Sequence, residues 1–97
     1  MIQMTLEFSG EIIYWRGPAP YYFVAVPPEQ SSDIKAISGL VTYGWGCIPV
    51  YARIGATEYK TSLFPRNGGY VVPVKDAVRK AEALGQGDLV TVRLEIR

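Results

Sequence analysis

The sequence predicts a mainly β protein, a small barrel of about six strands capped by two short helices. Three observations carry this. Ile2, Met4, Leu6 and Phe8 alternate with Gln3, Thr5, Glu7 and Ser9, and at the other end Val90, Val92, Leu94 and Ile96 alternate with Thr91, Arg93, Glu95 and Arg97. Such period-two patterning marks half-buried strands with one face on a core. The strand-like runs between these ends are short and divided by Gly- and Pro-rich turns. Helical signals are confined to two short stretches, without the long strand–helix–strand rhythm of a parallel doubly wound sheet.

The elements follow in order. After Gly10 a further run, Glu11 to Trp15, reads as strand, and Arg16-Gly17-Pro18-Ala19-Pro20 reads as loop. Tyr21 to Val26 is strand and stops at Pro27-Pro28. Ser31-Ser32-Asp33 offers N-cap chemistry for a helix over Ile34 to Ser38, ended by Gly39. Leu40 to Gly46, with its Gly44-Trp45-Gly46, is ambiguous. Ile48 to Ile54 and Thr57 to Phe64 form a hairpin about Gly55-Ala56. Pro65 to Gly69 is a turn, and Tyr70 to Val72 is a strand ending at Pro73. Val74, Ala77, Val78, Ala81 and Leu84 fall at helical spacing, with Gly85 placed for a left-handed cap. Gln86-Gly87-Asp88 turns into the last strand. The order is β-β-α-β-β-β-α-β. Tyr22 to Pro27 and Tyr70 to Pro73 each lead into a helix, an echo that fits two related halves.

With 97 residues the chain makes a single domain, 1–97. Ten Lys and Arg against nine Asp and Glu give a net charge of +1, with 48 % apolar and 20 % charged residues. This composition excludes a disordered chain, a disulfide scaffold and a coiled coil. No apolar run approaches the roughly 18 residues of a membrane span, and Met1 to Ser9 lacks a signal peptide's pattern. The expected setting is the cytoplasm, with no membrane. There is no histidine, so triads built on histidine are impossible, and with Cys47 as the one cysteine so is a Cys/His zinc site. A carboxylate Mg²⁺ or Ca²⁺ site stays allowed, but Asp33, Asp76 and Asp88 sit at turn or helix-start positions and read as caps. Cys47 reads as a small buried hydrophobe. No cofactor, no metal and no catalytic residue are expected. Lys60 and Ser62, two apart on one strand face, would make a nucleophile pair only if burial activated the lysine; the chain is read as not an enzyme.

Charge is uneven. Met1 to Ile34 holds Glu7, Glu11, Glu29 and Asp33 against Arg16, whereas Arg53 to Lys80 holds six bases against Glu58 and Asp76. Arg53, Lys60 and Arg66 make an anion-binding patch if they share a face, and a solvated surface otherwise. In the turn Ser62 to Gly69, Ser62 and Arg66 suit a carboxylate or phosphate, with Gly68 and Gly69 letting backbone N–H groups approach. A rigid barrel turn is the alternative. Among the many aromatics, Phe8 is placed inside. Trp45 and Tyr51 beside Arg53 suit stacking on a planar ligand, a protein interface or barrel filling.

Several motifs stand in one order: Phe23-Val24-Ala25-Val26-Pro27, Trp45-Gly46, Thr61-Ser62-Leu63-Phe64-Pro65, Gly68-Gly69-Tyr70, Pro73-Val74-Lys75, Val78-Arg79-Lys80-Ala81 and Gly87-Asp88. In these the chain, from about Met4 to Ile96, resembles the prokaryotic family known as domain of unknown function nineteen-oh-five. The resemblance implies a double-split β-barrel capped by helices, with both halves of the barrel in one chain. The same fold class includes swapped-hairpin DNA-binding dimers, and in some relatives a second domain follows. The family has no assigned activity and transfers no catalytic residue. The expected function is a non-enzymatic binding module for a small anionic or planar ligand or a protein partner, using Arg53, Lys60, Ser62, Arg66, Trp45 and Tyr51. The alternative is a nucleic-acid-binding regulator by analogy with the swapped-hairpin barrels, disfavoured by the near-neutral charge. Monomer and homodimer are both compatible with the sequence.

Overall fold

The runs on either side of Gly10 form one twelve-residue strand, β1 (Met4–Trp15), in the computed structural model, which describes residues 3–42 and 46–96. Met4 to Glu11 pair with β6 (Leu89–Ile96), and Ile12 to Trp15 pair with β2 (Tyr21–Ala25). The strand thus changes partner next to Gly10, where a Cβ would stand 2.7 Å from Val24 Cγ1. A side chain there would push into the core, so glycine marks a bend rather than a turn. The alternation sets the inward face, and Phe8 and Ile12 are buried on it.

β4 (Thr57–Arg66) behaves in the same way. Thr57 to Leu63 pair with β3 (Ile48–Ile54), and Phe64 to Arg66 pair with β5 (Gly69–Val74). All pairings are antiparallel, and the ladder closes as β1-β2-β5-β4-β3-β6. Two sheets therefore share β1 and β4: one face of the barrel is β1-β6-β3-β4, the other β1-β2-β5-β4. The element order β-β-α-β occurs twice. Exchanging the halves, β1 for β4, β2 for β5 and β3 for β6, maps the strand order onto itself, as the echo between the two Pro-terminated strands suggests. Ile12, Val24, Ile48, Leu63, Val72, Val92, Leu94 and Ile96 fill the interior and are fully buried, each contributing roughly 1.5–3 kcal/mol of transfer free energy. Cys47 is buried as well.

Several expectations are corrected. β5 runs through Pro73 to Val74; β4 pairs with β5 only as far as Phe64 and Val71, so the missing N–H of Pro73 breaks no bond on that side. The first helix, α1 (Pro28–Val41), spans 14 residues rather than Ile34 to Ser38. Pro28 at its start has a φ already suited to a helix, so the chain enters directly from Pro27 and no side chain caps it. Ser31, expected before the helix, lies inside it; its hydroxyl donates to Val26 O at 3.1 Å. Gly39 is passed, and the helix stops before extended Thr42.

The second helix, α2 (Asp76–Ala81), is shorter than the periodic stretch Val74 to Leu84, and of its expected apolar face Ala77 and Ala81 are exposed. Its left-handed residue is Ala83 (φ 54°), not Gly85. Leu84 N donates to Arg79 O and Ala83 N to Lys80 O, the paired bonds of a Schellman cap. Gly85 instead serves the following turn, where its N–H donates to the Asp88 carboxylate at 2.8 Å. The expected strand residue Ile2 and the ambiguous Tyr43 to Trp45 lie outside the described residues.

Candidate functional site

Directly paired residues of neighbouring strands share a face. On the β1-β2-β5-β4 side the pairs Ile13–Phe23, Ala25–Val71, Phe64–Val71 and Arg66–Gly69 all face outward, away from Ile12, Val24 and Val72. α1 packs against β5 beside them. Between this helix and the β4–β5 hairpin runs an open groove of about 600 Å³. Its floor is Ile13, Phe23, Ala25 and Val71; α1 supplies Pro28, Ser31, Ser32 and Lys35; the hairpin supplies Arg66, Asn67, Gly68 and Gly69.

The hairpin geometry follows from its residues. Asn67 (φ 51°) and Gly68 (φ 79°) are both left-handed, which gives the two-residue type I′ turn favoured by Asn-Gly and matches the twist of the strands. Gly69 lets the hairpin close on the helix, since a Cβ there would stand 3.1 Å from Ser31 Oγ. Arg66 is thereby held over the sheet, its guanidinium carbon 5.0 Å from the Phe23 ring centre and 6.0 Å from that of Trp15. Tyr21 joins the cluster, 5.6 Å from Trp15 and 5.5 Å from Phe23. Phe23 faces outward yet is only 4 % exposed, while Ile13 and Trp15 remain 39 % and 37 % exposed. A guanidinium stacked on a ring keeps its N–H edge free for a planar acceptor. Among the described residues no carboxylate lines the groove, so Lys35 and Arg66 give it two positive charges.

The opposite outward face is different. There Glu7, Arg93, Arg53 and Glu58 stand in one cross-strand row, and Thr5, Glu95, Tyr51 and Lys60 in the next. Each base has an acid within its row, and Arg53 Nε donates to Gly55 O at 3.2 Å. Lys60 lies over the Tyr51 ring at 5.2 Å. A depression of about 180 Å³ is lined by Tyr51, Arg53, Glu58, Arg93 and Glu95.

Of the residues singled out in the sequence, the structure brings Tyr51, Arg53 and Lys60 together, with Ser62 two residues further along β4 opposite Pro49. It separates them from Arg66. β4 crosses from one sheet to the other after Leu63, and six residues of strand span up to roughly 20 Å, so Arg53, Lys60 and Arg66 form no single patch. Lys60 is exposed, without the burial that Ser–Lys chemistry requires. Trp45 lies outside the described residues. Sequence reasoning missed Lys35, Ser32 and Phe23. Lys35 has no local signal, because the fold alone carries its helix to the hairpin; Phe23 was legible only as an aromatic in a strand.

Two further groups have structural roles. Burial pushes the Tyr59 phenol pKa up, and its hydroxyl donates to Pro73 O at 2.8 Å. Arg79 stacks on Tyr22 at 4.1 Å and pairs with Asp76 at 3.3 Å, which accounts for that carboxylate. Among the described residues no group of three or more metal-ligating side chains occurs, and no helix is long and apolar enough to cross a membrane.

No curated protein matches the chain. The family model described as Domain of unknown function (DUF1905) matches residues 8–94, from the first buried aromatic of β1 to the interior of β6, and with nearly its whole length matched the chain belongs to that family.

Proposed function

We propose that the chain is a non-enzymatic binding module whose groove between α1 and the β4–β5 hairpin takes a small anionic ligand with a planar or apolar part. The observation that carries this reading is that Lys35 and Arg66 both line a groove with an apolar floor and, among the described residues, no carboxylate in its lining. Ligand sites are typically concave and mostly apolar, with a few convergent polar groups; this groove has that form, and the opposite face has balanced charge instead. A cytoplasmic setting fits the lone buried Cys47.

Amide chemical-shift mapping with a panel of small aromatic and aliphatic anions tests it. Shifts are expected at Ala25, Ser32, Gly68 and Gly69, and their loss in Arg66→Ala. Shifts confined to Tyr51, Arg53 and Lys60 would overturn the assignment. The nucleic-acid reading draws on the same Trp15–Arg66–Phe23 stack, which suits an unpaired base. Its signature would be an affinity falling roughly a thousandfold between about 50 and 200 mM salt, whereas a ligand held by two cations loses far less.

A further inference from the structure

We infer that the ligand is a small aromatic phosphate monoester, a mononucleotide in chemical type. This rests on the groove being an anion site, as just proposed, and adds which anion. Lys35 and Arg66 reach the groove from different walls, one from a helix and one from a hairpin. A carboxylate presents two oxygens in one plane and suits a single forked donor. A phosphate presents three acceptor oxygens in different directions and carries a charge of about −1.5 to −2 at neutral pH. It can therefore accept from the Arg66 edge and the Lys35 ammonium together and neutralise both. Neither side chain has an ion-pair partner among the described residues; the one ion pair found there is Arg79 with Asp76.

The remaining donors fit the same group. Ser32 stands one helical turn before Lys35 on the same wall. At Gly68 no atom lies within 4 Å of where a Cβ would be, so the turn's backbone is open to approach. The apolar part of the ligand also has a place. Arg66 is itself exposed and covers Phe23, so its outer plane offers a stacking surface, continued by half-exposed Ile13 and Trp15. A planar ring laid there carries its phosphate toward the Lys35 wall.

Titration calorimetry with the whole chain tests the inference, using phenyl phosphate, the four ribonucleoside 5′-monophosphates, adenosine, benzoate, inorganic phosphate and a hexanucleotide without terminal phosphates. At least one nucleoside monophosphate should bind tenfold or more tighter than adenosine, and phenyl phosphate tighter than benzoate. Lys35→Gln should weaken the phosphate esters by about tenfold and leave adenosine unchanged. Arg66→Lys should weaken both, because the lysine loses the planar stack. Both residues are exposed, and thermal melts unchanged from the parent establish that the variants fold.

The pH profile gives a separate readout. The chain has no histidine, the side chain that ordinarily changes charge between about pH 5 and 8. A fall in ester affinity below about pH 6 would therefore report the ligand's own second ionisation. Benzoate binding as tightly as phenyl phosphate would overturn the phosphate assignment and leave the anion groove standing. Equal or tighter binding of the hexanucleotide would overturn it in favour of a nucleic-acid strand. Heats and groove shifts absent for every probe would remove both this inference and the reading beneath it.

Discussion

Tyr59 shows how one side chain couples the two sheets of the barrel. It faces inward on β4 opposite Ala52, and its hydroxyl reaches across to Pro73 O on β5. Pro73 lies beyond the reach of the β4–β5 ladder, so the phenol gives its carbonyl a partner on that side. Tyr59→Phe should cost about 1 kcal/mol, the net worth of one hydrogen bond plus the carbonyl left without it. The same residue sets an alkaline limit. Burial raises its pKa above the ordinary tyrosine value, so the unfolded chain loses the proton first. Stability is then fully present below about pH 10 and falls as pH rises through it. Denaturant midpoints followed from pH 9 to 11.5 should fall more steeply in the parent than in Tyr59→Phe; parallel curves would refute the linkage.

At the scale of elements, α2 is the least regular part of the chain. It is six residues long, and Glu82 anchors its end by accepting from Thr57 Oγ1 at 2.6 Å, tying the helix to the β3–β4 turn. Its Schellman cap places Ala83 at φ 54°, a conformation that strains any residue with a Cβ. Ala83 is exposed, so Ala83→Gly relieves that strain without opening a cavity and should raise stability by about 1 kcal/mol, visible as a higher thermal midpoint. A drop would mean that the unfolded-state entropy of the new glycine outweighs the relief. The helix shows why its boundaries were not legible. Spacing alone extends one helical face from Val74 to Leu84, yet Val74 completes β5, Ala77 and Ala81 are exposed, and Leu84 packs partly buried against the core from beyond the turn, leaving Val78 as the buried residue of the helix itself. At α1 the strong N-cap residues Ser31 to Asp33 misled for the opposite reason: Pro28 starts the helix earlier, and Ser31 was free to bond back to Val26. The strands were readable, since alternation is set by one face meeting the core, and Met4 to Ile12, Ile48 to Ile54 and Val90 to Ile96 each bury alternate residues.

For the whole molecule, barrel closure decides what the surface can do. The ladder closes the ring among the described residues, with only partial pairing where β3 meets β6 and β4 meets β5, so closure limits the strand edge left open and the charged side chains stand on the two outward faces. The sequence places Arg53, Lys60 and Arg66 within fourteen positions and invites one basic patch. Closure distributes them, because β4 passes from one sheet to the other between Lys60 and Arg66. It also brings acids from distant parts of the chain beside the first two: Glu7 and Glu95 share their cross-strand rows. Acids and bases thus balance on that face, whereas Lys35 and Arg66 line the groove with no carboxylate in its lining among the described residues. Charge counted along the chain could not reveal this, since Lys35 lies 31 positions from Arg66 and meets it only through the packing of α1 on β5. The two faces therefore make opposite predictions for paired substitutions. Arg53→Ala with Lys60→Ala should leave affinity for a groove ligand within about twofold, since exposed charges farther apart than the roughly 8–10 Å screening length of physiological salt interact weakly. Lys35→Ala with Arg66→Ala should weaken it by more than tenfold, the loss of two charge-assisted contacts. The reverse ordering, measured by calorimetry at about 0.15 M salt, would move the site to the β1-β6-β3-β4 face and make the mixed rows, rather than the unbalanced groove, the recognition surface.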